Sequence, residues 1–85
     1  MNHKHRENSL IAAIAAHRNK SKVILESYNF GVYVLYFEDA NTEVMTRDDL
    51  CDTVDEAKQF CREDYGVLAN DWEEILDHSP IMVTS

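Results

Sequence analysis

The strongest strand signal in this 85-residue sequence is Val32-Tyr33-Val34-Leu35-Tyr36-Phe37, which is followed by the polar pair Glu38-Asp39. All six residues are β-branched, aromatic or Leu, and this composition favours a β-strand over a helix. Apolar side chains occupy both alternating sets of positions, so both faces of the strand are expected to be covered. The sequence therefore predicts that residues 32–37 form the central strand of a sheet.

The segments on either side of this strand predict its neighbours in the sheet. Val23-Ile24-Leu25 indicates a preceding strand, and Asn29-Phe30-Gly31 supplies the turn of an antiparallel hairpin, because Asn and Gly tolerate positive φ. After a polar turn at 38–41, residues 42–45 predict a third strand. The charged residues that follow mark this strand as an exposed edge.

Two helices are predicted beside the sheet. The segment 10–18 is rich in Ala, Leu and Ile and follows the N-cap candidates Asn8 and Ser9, which favours an N-terminal helix. Thr53-Val54-Asp55-Glu56 matches the S/T-x-x-E capping box, and apolar residues continue at steps of three and four until Gly66 ends the helix. We expect this second helix, 54–65, to place its apolar side on one face of the sheet.

The C-terminal part leaves two alternatives open, since residues 71–76 fit either a short helix or a short strand at the sheet edge. The predicted fold class is α+β: an N-terminal helix, a three-stranded antiparallel sheet, the helix 54–65 on one face and this short C-terminal element. A single domain is predicted over residues 9–78, with a mobile basic arm at 1–8 and a loose tail at 79–85.

Charge is distributed unevenly along the chain. Residues 1–22 carry a net charge of +4, whereas residues 23–85 hold three basic and fifteen acidic residues, a balance of −12. Such an acidic body repels nucleic acid and anionic membranes and attracts basic proteins. The hairpin is rich in aromatic residues, as RNA-binding sheets are, but those sheets have a basic surface, so a core role is the better interpretation.

Sequence features also predict the compartment. No segment approaches the roughly eighteen apolar residues that a membrane-spanning helix needs. The apolar run 10–16 is short for a signal peptide and is followed at once by basic residues. Cys51 and Cys61 are too few for a secreted disulfide scaffold and fit reduced thiols. A cytoplasmic location is therefore predicted, with no membrane partner.

The candidate binding residues are five carboxylates around the start of the second helix: Asp48, Asp49, Asp52, Asp55 and Glu56. An EF-hand loop needs a Gly at its sharp turn, and none lies near them. Four residues have side chains that could bind zinc: His17, His78, Cys51 and Cys61. No two of them have the short sequence spacing that is typical of a zinc site. The sequence motifs of a nucleophile elbow and of a phosphate-binding loop are absent. The sequence thus predicts no catalytic residue, no metal and no cofactor.

One resemblance rests on Asp52-Thr53-Val54-Asp55-Glu56-Ala57-Lys58, together with Tyr65-Gly66-Val67 and Trp72. These motifs resemble a loose group of small bacterial α+β proteins, in which a strand pair ends in an acidic turn and leads to a D-T-x-x-x-A helix that closes with Y-G. The resemblance covers residues 22–76. Its motifs are helix caps and packing residues, so it implies a fold and no activity.

The predicted function is non-catalytic protein–protein binding by a small acidic bacterial protein, with a basic protein as partner. A sharper alternative is an inhibitor or immunity-type protein that caps a basic nuclease or another nucleic-acid-binding protein. A small enzyme or metal-binding protein is the alternative from another class. The second face of strand 32–37 also needs a cover, which predicts that residues 9–18 pack on it, from the same chain or from a second copy in a homodimer.

Overall fold

The computed structural model describes residues 10–42, 44–76 and 78, so the predicted arm at 1–8 and tail at 79–85 lie outside the described residues. The elements follow in the order β1 (Ala12–Arg18), β2 (Ser21–Tyr28), β3 (Gly31–Phe37), β4 (Arg47–Cys51), α1 (Val54–Tyr65), a 3₁₀ turn (Ala69–Asp71) and β5 (Trp72–Glu74). The strands form one antiparallel sheet in the order β4-β3-β2-β1-β5, and α1 packs on one of its faces.

The predicted N-terminal helix is wrong, because residues 12–18 form β1, which pairs with β2 on one side and with β5 on the other. Alanine favours a helix by intrinsic propensity, but pairing on both sides of the segment overrides that preference. Small side chains suit this interior strand, since both of its faces are buried. Ala16 is fully buried beneath α1, and Ala15 is buried on the opposite face.

The prediction of three strands is also wrong, because β1 and β5 extend the sheet to five. The predicted third strand forms at 47–51 instead of 42–45, and β2 takes the central place predicted for residues 32–37. β3 lies between β2 and β4 and is covered on both faces, since Val34 on the α1 face and Leu35 on the other are fully buried. Of the alternatives for 71–76, the structure has a strand at 72–74.

Two tight turns connect the first three strands. Asn19 adopts a left-handed conformation with φ 53° between β1 and β2, a position that Asn tolerates better than most residues. The predicted hairpin of β2 and β3 is confirmed, with Tyr28 paired to Gly31 across the turn at 29–30. These turns fix the register of the three longest strands, because each joins neighbouring strands through only two residues.

The predicted helix 54–65 is confirmed together with its caps. The backbone N–H of Glu56 donates to Thr53 Oγ1 at 3.1 Å. The Glu56 carboxylate accepts from the backbone N–H of Asp52 at 3.1 Å, one residue earlier than in the usual capping box. Gly66 ends the helix at φ 72°. Between the caps, Ala57 and Cys61 are fully buried against the sheet.

Ala16→Leu is expected to destabilise the fold by about 1–3 kcal/mol, because three added carbon atoms meet a closely packed site between β1 and α1. Ala12→Leu is the matched control, since Ala12 lies on the same side of β1 but is exposed; it should change stability by no more than about 0.5 kcal/mol. Urea denaturation measures both changes. Equal destabilisation would contradict the placement of β1 inside the sheet.

Thr53→Ala is expected to cost about 1 kcal/mol of stability, because the N–H of Glu56 loses its acceptor at the start of α1. Thr53→Ser keeps the hydroxyl and should stay close to the wild-type protein in thermal denaturation. Thr46→Ala would not serve as a silent control, since Thr46 Oγ1 accepts a hydrogen bond from the Glu38 N–H at 3.0 Å. A Ser variant as unstable as the Ala variant would refute the cap.

Candidate functional site

Four apolar side chains meet near the β2–β3 turn, on the face of the sheet opposite α1, and are called here the hydrophobic corner: Tyr28, Phe30, Tyr33 and Leu50. The rings of Tyr28 and Phe30 stack with centroids 5.2 Å apart, and Tyr33 meets them edge-on at 5.8 and 6.0 Å. Leu50 pairs directly with Tyr33 across β3 and β4. Phe30 and Leu50 are 45% and 55% exposed. Contiguous exposed apolar side chains of this kind are typical of binding surfaces.

Gly31 lets Leu50 lie against the turn. The residue has φ 154°, and a Cβ added to it would lie 2.8 Å from the Cys51 carbonyl oxygen and 3.2 Å from Leu50 Cδ1. A side chain at this position would push β4 away from β3, because the closest atom belongs to the backbone. Glycine therefore allows the close approach of Leu50 to the turn beside the three aromatic rings.

The five predicted carboxylates lie beside this corner and are called here the acidic rim: Asp48, Asp49, Asp52, Asp55 and Glu56. Asp48 lies on β4 two residues before Leu50, so both side chains are on the face opposite α1. Asp49 lies on the α1 face, with Oδ2 3.4 Å from Arg47 Nη2. Asp52, Asp55 and Glu56 follow in the loop and in the first turn of α1. The structure thus divides the set between two faces.

Only part of the acidic rim is available to a partner. Glu56 caps α1, and Asp49 faces Arg47. Asp48, Asp52 and Asp55 are exposed and form no ion pair within the described ranges of the chain. Exposed carboxylates add little to stability and act mainly on encounter with charged partners. These three are therefore the best candidates of the five for a binding role.

Arg47 has a structural role that the sequence did not indicate. Its guanidinium carbon lies 5.9 Å from the ring centroids of both Phe60 and Tyr65 on α1, a cation–π arrangement. Tyr65 in turn stacks on Tyr36 of β3, with centroids 4.2 Å apart. These contacts attach the edge strand β4 to α1. They fix the acidic rim relative to the sheet.

A buried carboxylate lies next to the hydrophobic corner. Glu26 on β2 is fully buried on the face opposite α1. The Tyr28 hydroxyl donates to Glu26 Oε1 at 3.0 Å, and His78 Nε2 lies 2.6 Å from Oε2. Burial, and then the charge of Glu26, raise the pKa of Tyr28 to about 12, so the hydroxyl remains a donor at neutral pH. The carboxylate thereby joins the corner to the segment after β5.

Carboxylate–histidine pairs occur in catalytic sites, where the carboxylate orients the ring and the ring moves a proton. Here the Glu26 carboxylate is shielded from solvent, and His78 borders a groove whose other side chains with acid–base or metal-binding chemistry are His17, Lys22, Glu73 and Glu74. Among the described residues that line this groove, there is no Ser, Thr or Cys nucleophile. The contact is best explained as a satisfied buried polar group.

The four zinc-ligand candidates are not brought together. Cys51 on β4 and Cys61 on α1 pack in the core between the helix and the sheet, whereas His17 and His78 lie on the other face of the sheet. Burial is the main cause that raises the pKa of both thiols, to about 12 for Cys61, so both stay protonated and unreactive at neutral pH. Among the residues that the structure describes, no group of three or more His, Cys, Asp or Glu is arranged to hold a metal ion.

Sequence reasoning missed Glu26 and His78 as a pair, and it treated Phe30 as core. A signal for Glu26 was present, since it follows the apolar run Val23-Ile24-Leu25 in a predicted strand and shares a strand face with Ile24. A carboxylate buried at such a position needs partners. His78 had no such signal. Its contact with Glu26 spans 52 positions of sequence, so only the fold brings the two together.

Comparisons with known proteins found no similarity: no protein-family model, no curated protein and no solved structure matches the chain. The resemblance to the group of small bacterial proteins therefore stays a prediction. Within residues 10–42, 44–76 and 78, no helix is long and apolar enough to cross a membrane. Functional inference accordingly rests on the geometry and charge of this chain.

The free energy of unfolding is expected to fall as pH rises from about 9 to 12, because Cys61 ionises near 9.0 when unfolded but near 12 when folded. In that window, one such group removes about 1.4 kcal/mol per pH unit. Cys61→Ala should therefore show a shallower decline in urea denaturation measured at successive pH values. Both proteins contain the same tyrosines, so the contribution of tyrosine ionisation to the pH dependence cancels when the two are compared. Parallel declines would refute the assignment.

Proposed function

We propose that this protein acts without catalysis, by binding a basic protein through the hydrophobic corner and the exposed part of the acidic rim. The single observation that carries the proposal is the contiguity of the two features. Phe30 and Leu50 are about half exposed, and Asp48 lies on the same face two residues from Leu50. Apolar anchors surrounded by charged side chains are the usual arrangement of a specific protein interface.

The two parts of this surface have different physical roles. Burial of Phe30 and Leu50 against a partner supplies most of the binding free energy, since few residues dominate a typical interface. The carboxylates Asp48, Asp52 and Asp55 act at longer range by attracting a basic surface and orienting it during encounter. A partner without basic residues would gain the first contribution and lose the second.

The edge strand β4 supports this assignment. It is the last strand on its side of the sheet, so its outer backbone groups have no strand partner among the described residues. The charged side chains Arg47, Asp48 and Asp49 disfavour pairing between two copies of this edge. A basic partner meets no such repulsion from the two carboxylates. The edge is therefore suited to a different protein more than to a second copy.

The sharper form of the proposal is an inhibitor or immunity-type protein in the bacterial cytoplasm, which covers the basic surface of a nuclease or another nucleic-acid-binding protein. The support is electrostatic: a body with a balance of −12 over residues 23–85 complements a surface that binds phosphates. A homodimer formed by a helix at residues 9–18 is no longer supported, because residues 12–18 form a strand that pairs on both sides within the sheet.

The partner test begins with cross-linking and affinity capture from a bacterial lysate, followed by rate measurements on the purified partner. Phe30→Ala/Leu50→Ala should raise the dissociation rate about tenfold or more, because two anchors are lost. Asp48→Asn/Asp52→Asn should slow association about tenfold at low salt and much less at high salt, because screening shortens the range of attraction.

Matched controls lie away from this surface. Leu68→Ala removes an equally exposed apolar side chain beyond α1, and Glu73→Gln/Glu74→Gln removes two charges on β5, at the opposite edge of the sheet. Neither control should alter the rates more than about twofold. A partner that binds the corner variant as tightly as the wild-type protein, or associates at a rate independent of salt, would refute the proposal.

A further inference from the structure

A groove runs between α1 and the segment that leads into β5, on the face of the sheet away from the hydrophobic corner. Its α1 side is lined by Lys58, Gln59, Arg62 and the carboxylate Glu63, and its other side by Val67, Ala69 and Trp72. Val67 is almost fully buried and belongs to the core, and Trp72 is half-buried against that core. The groove thus has an apolar base and a polar wall, the usual composition of a small-molecule site.

Lys58 and Arg62, the two basic residues that line the groove, are unusual in such an acidic part of the chain. They are two of the three basic residues in 23–85, and the third, Arg47, is held by Asp49 and two aromatic rings. Lys58 and Arg62 are one helical turn apart, a spacing at which like charges repel. Within the described ranges, neither forms an ion pair, although the chain offers many carboxylates.

The helix dipole accounts for only one of these two basic residues. Arg62 lies in the last turn of α1, where a positive charge is favoured by the helix dipole. Lys58 lies in the middle of the helix, where the dipole gives no such benefit. An anion seated between the two side chains would relieve their repulsion and would receive charge-assisted hydrogen bonds from both.

Trp72 supplies the second half of the site. Its strand partner is Ala16, and its indole lines the groove that Lys58 and Arg62 border. A flat ring stacks favourably on an indole, and arginine stacks on such rings as well. The chain contains one Trp, so this half of the site has its own spectroscopic reporter.

We infer that this groove binds a small molecule that joins a flat ring to an anionic group, as a nucleoside monophosphate does. The ring lies against Trp72, and the anionic group lies between Lys58 and Arg62. A long polyanion is disfavoured, because its remaining phosphates would meet the acidic body. This inference does not depend on the proposed protein-binding function, and the hydrophobic corner that anchors that surface lies on the other face of the sheet.

The test uses Trp72 fluorescence with adenosine monophosphate as probe. We expect a saturable change in emission with this probe. Adenosine and inorganic phosphate should each bind at least about tenfold more weakly, since each lacks one half of the ligand. Calorimetry repeats the three titrations without optical interference. An absence of saturable binding by adenosine monophosphate would refute the inference.

The matched variants are Lys58→Gln/Arg62→Gln and, as a control, Lys20→Gln, which removes an exposed positive charge at the β1–β2 turn. The double variant should weaken binding of adenosine monophosphate about tenfold or more, because two charge-assisted contacts are lost. The control should bind like the wild-type protein, and circular dichroism checks that all three fold. Equal affinity of the double variant and the wild-type protein, or tighter binding of a single-stranded oligonucleotide than of the mononucleotide, would overturn the inference.

Discussion

β2 is hydrogen-bonded to β1 on one side and to β3 on the other along nearly its whole length, so its register decides which side chains lie on each face of the sheet. Val23 and Leu25 lie beneath α1, whereas Ile24 and Glu26 lie on the opposite face, and all four are buried. A shift of one residue would place the Glu26 carboxylate beneath α1 among apolar side chains. The buried carboxyl group therefore helps to specify the register, together with the apolar residues.

Glu26 also connects the core to the hydrophobic corner. Its carboxylate accepts the Tyr28 hydroxyl, and the Tyr28 ring stacks on Phe30 and meets Tyr33 edge-on. An exposed aromatic side chain normally samples several rotamers, and its immobilisation on binding costs conformational entropy. Contacts from buried Glu26 through Tyr28 to Phe30 would reduce that cost for the proposed partner. The corner is thus organised in advance by a polar contact beneath it.

The structure shows which features the sequence could predict. α1 was predicted to the residue, because Thr53 and Gly66 are local signals that act within one turn of the helix. β1 was not, because Ala lies on both faces of the strand and leaves no alternation of apolar and polar residues, while its helix propensity is high. The strand at 72–74 has only three residues and depends on β1, so it could not be identified before β1 was placed.

The candidate site was predictable to a similar degree. The sequence places the carboxylates of the acidic rim around the start of α1, because they are close in sequence. It could not show that Asp48 and Asp49 face opposite sides of β4, since that depends on the pairing with β3. Leu50 comes next to Tyr33 and Gly31 only through the β3–β4 pairing and the space that the glycine leaves. Local sequence patterns do not predict contacts that depend on strand pairing.

The distribution of charge along α1 links the two proposed surfaces. Asp55 and Glu56 occupy its first turn and Arg62 its last, the arrangement that the helix dipole favours at both ends. The first turn follows β4 and belongs to the acidic rim, whereas Arg62 lines the groove beside Trp72. One stabilising pattern within a single helix therefore gives its two ends opposite charge. Asp55 and Arg62 lie seven residues apart, about 10 Å along the helix axis, which is roughly one Debye length at physiological salt, so salt partly screens the charge of each end from a ligand proposed to bind at the other.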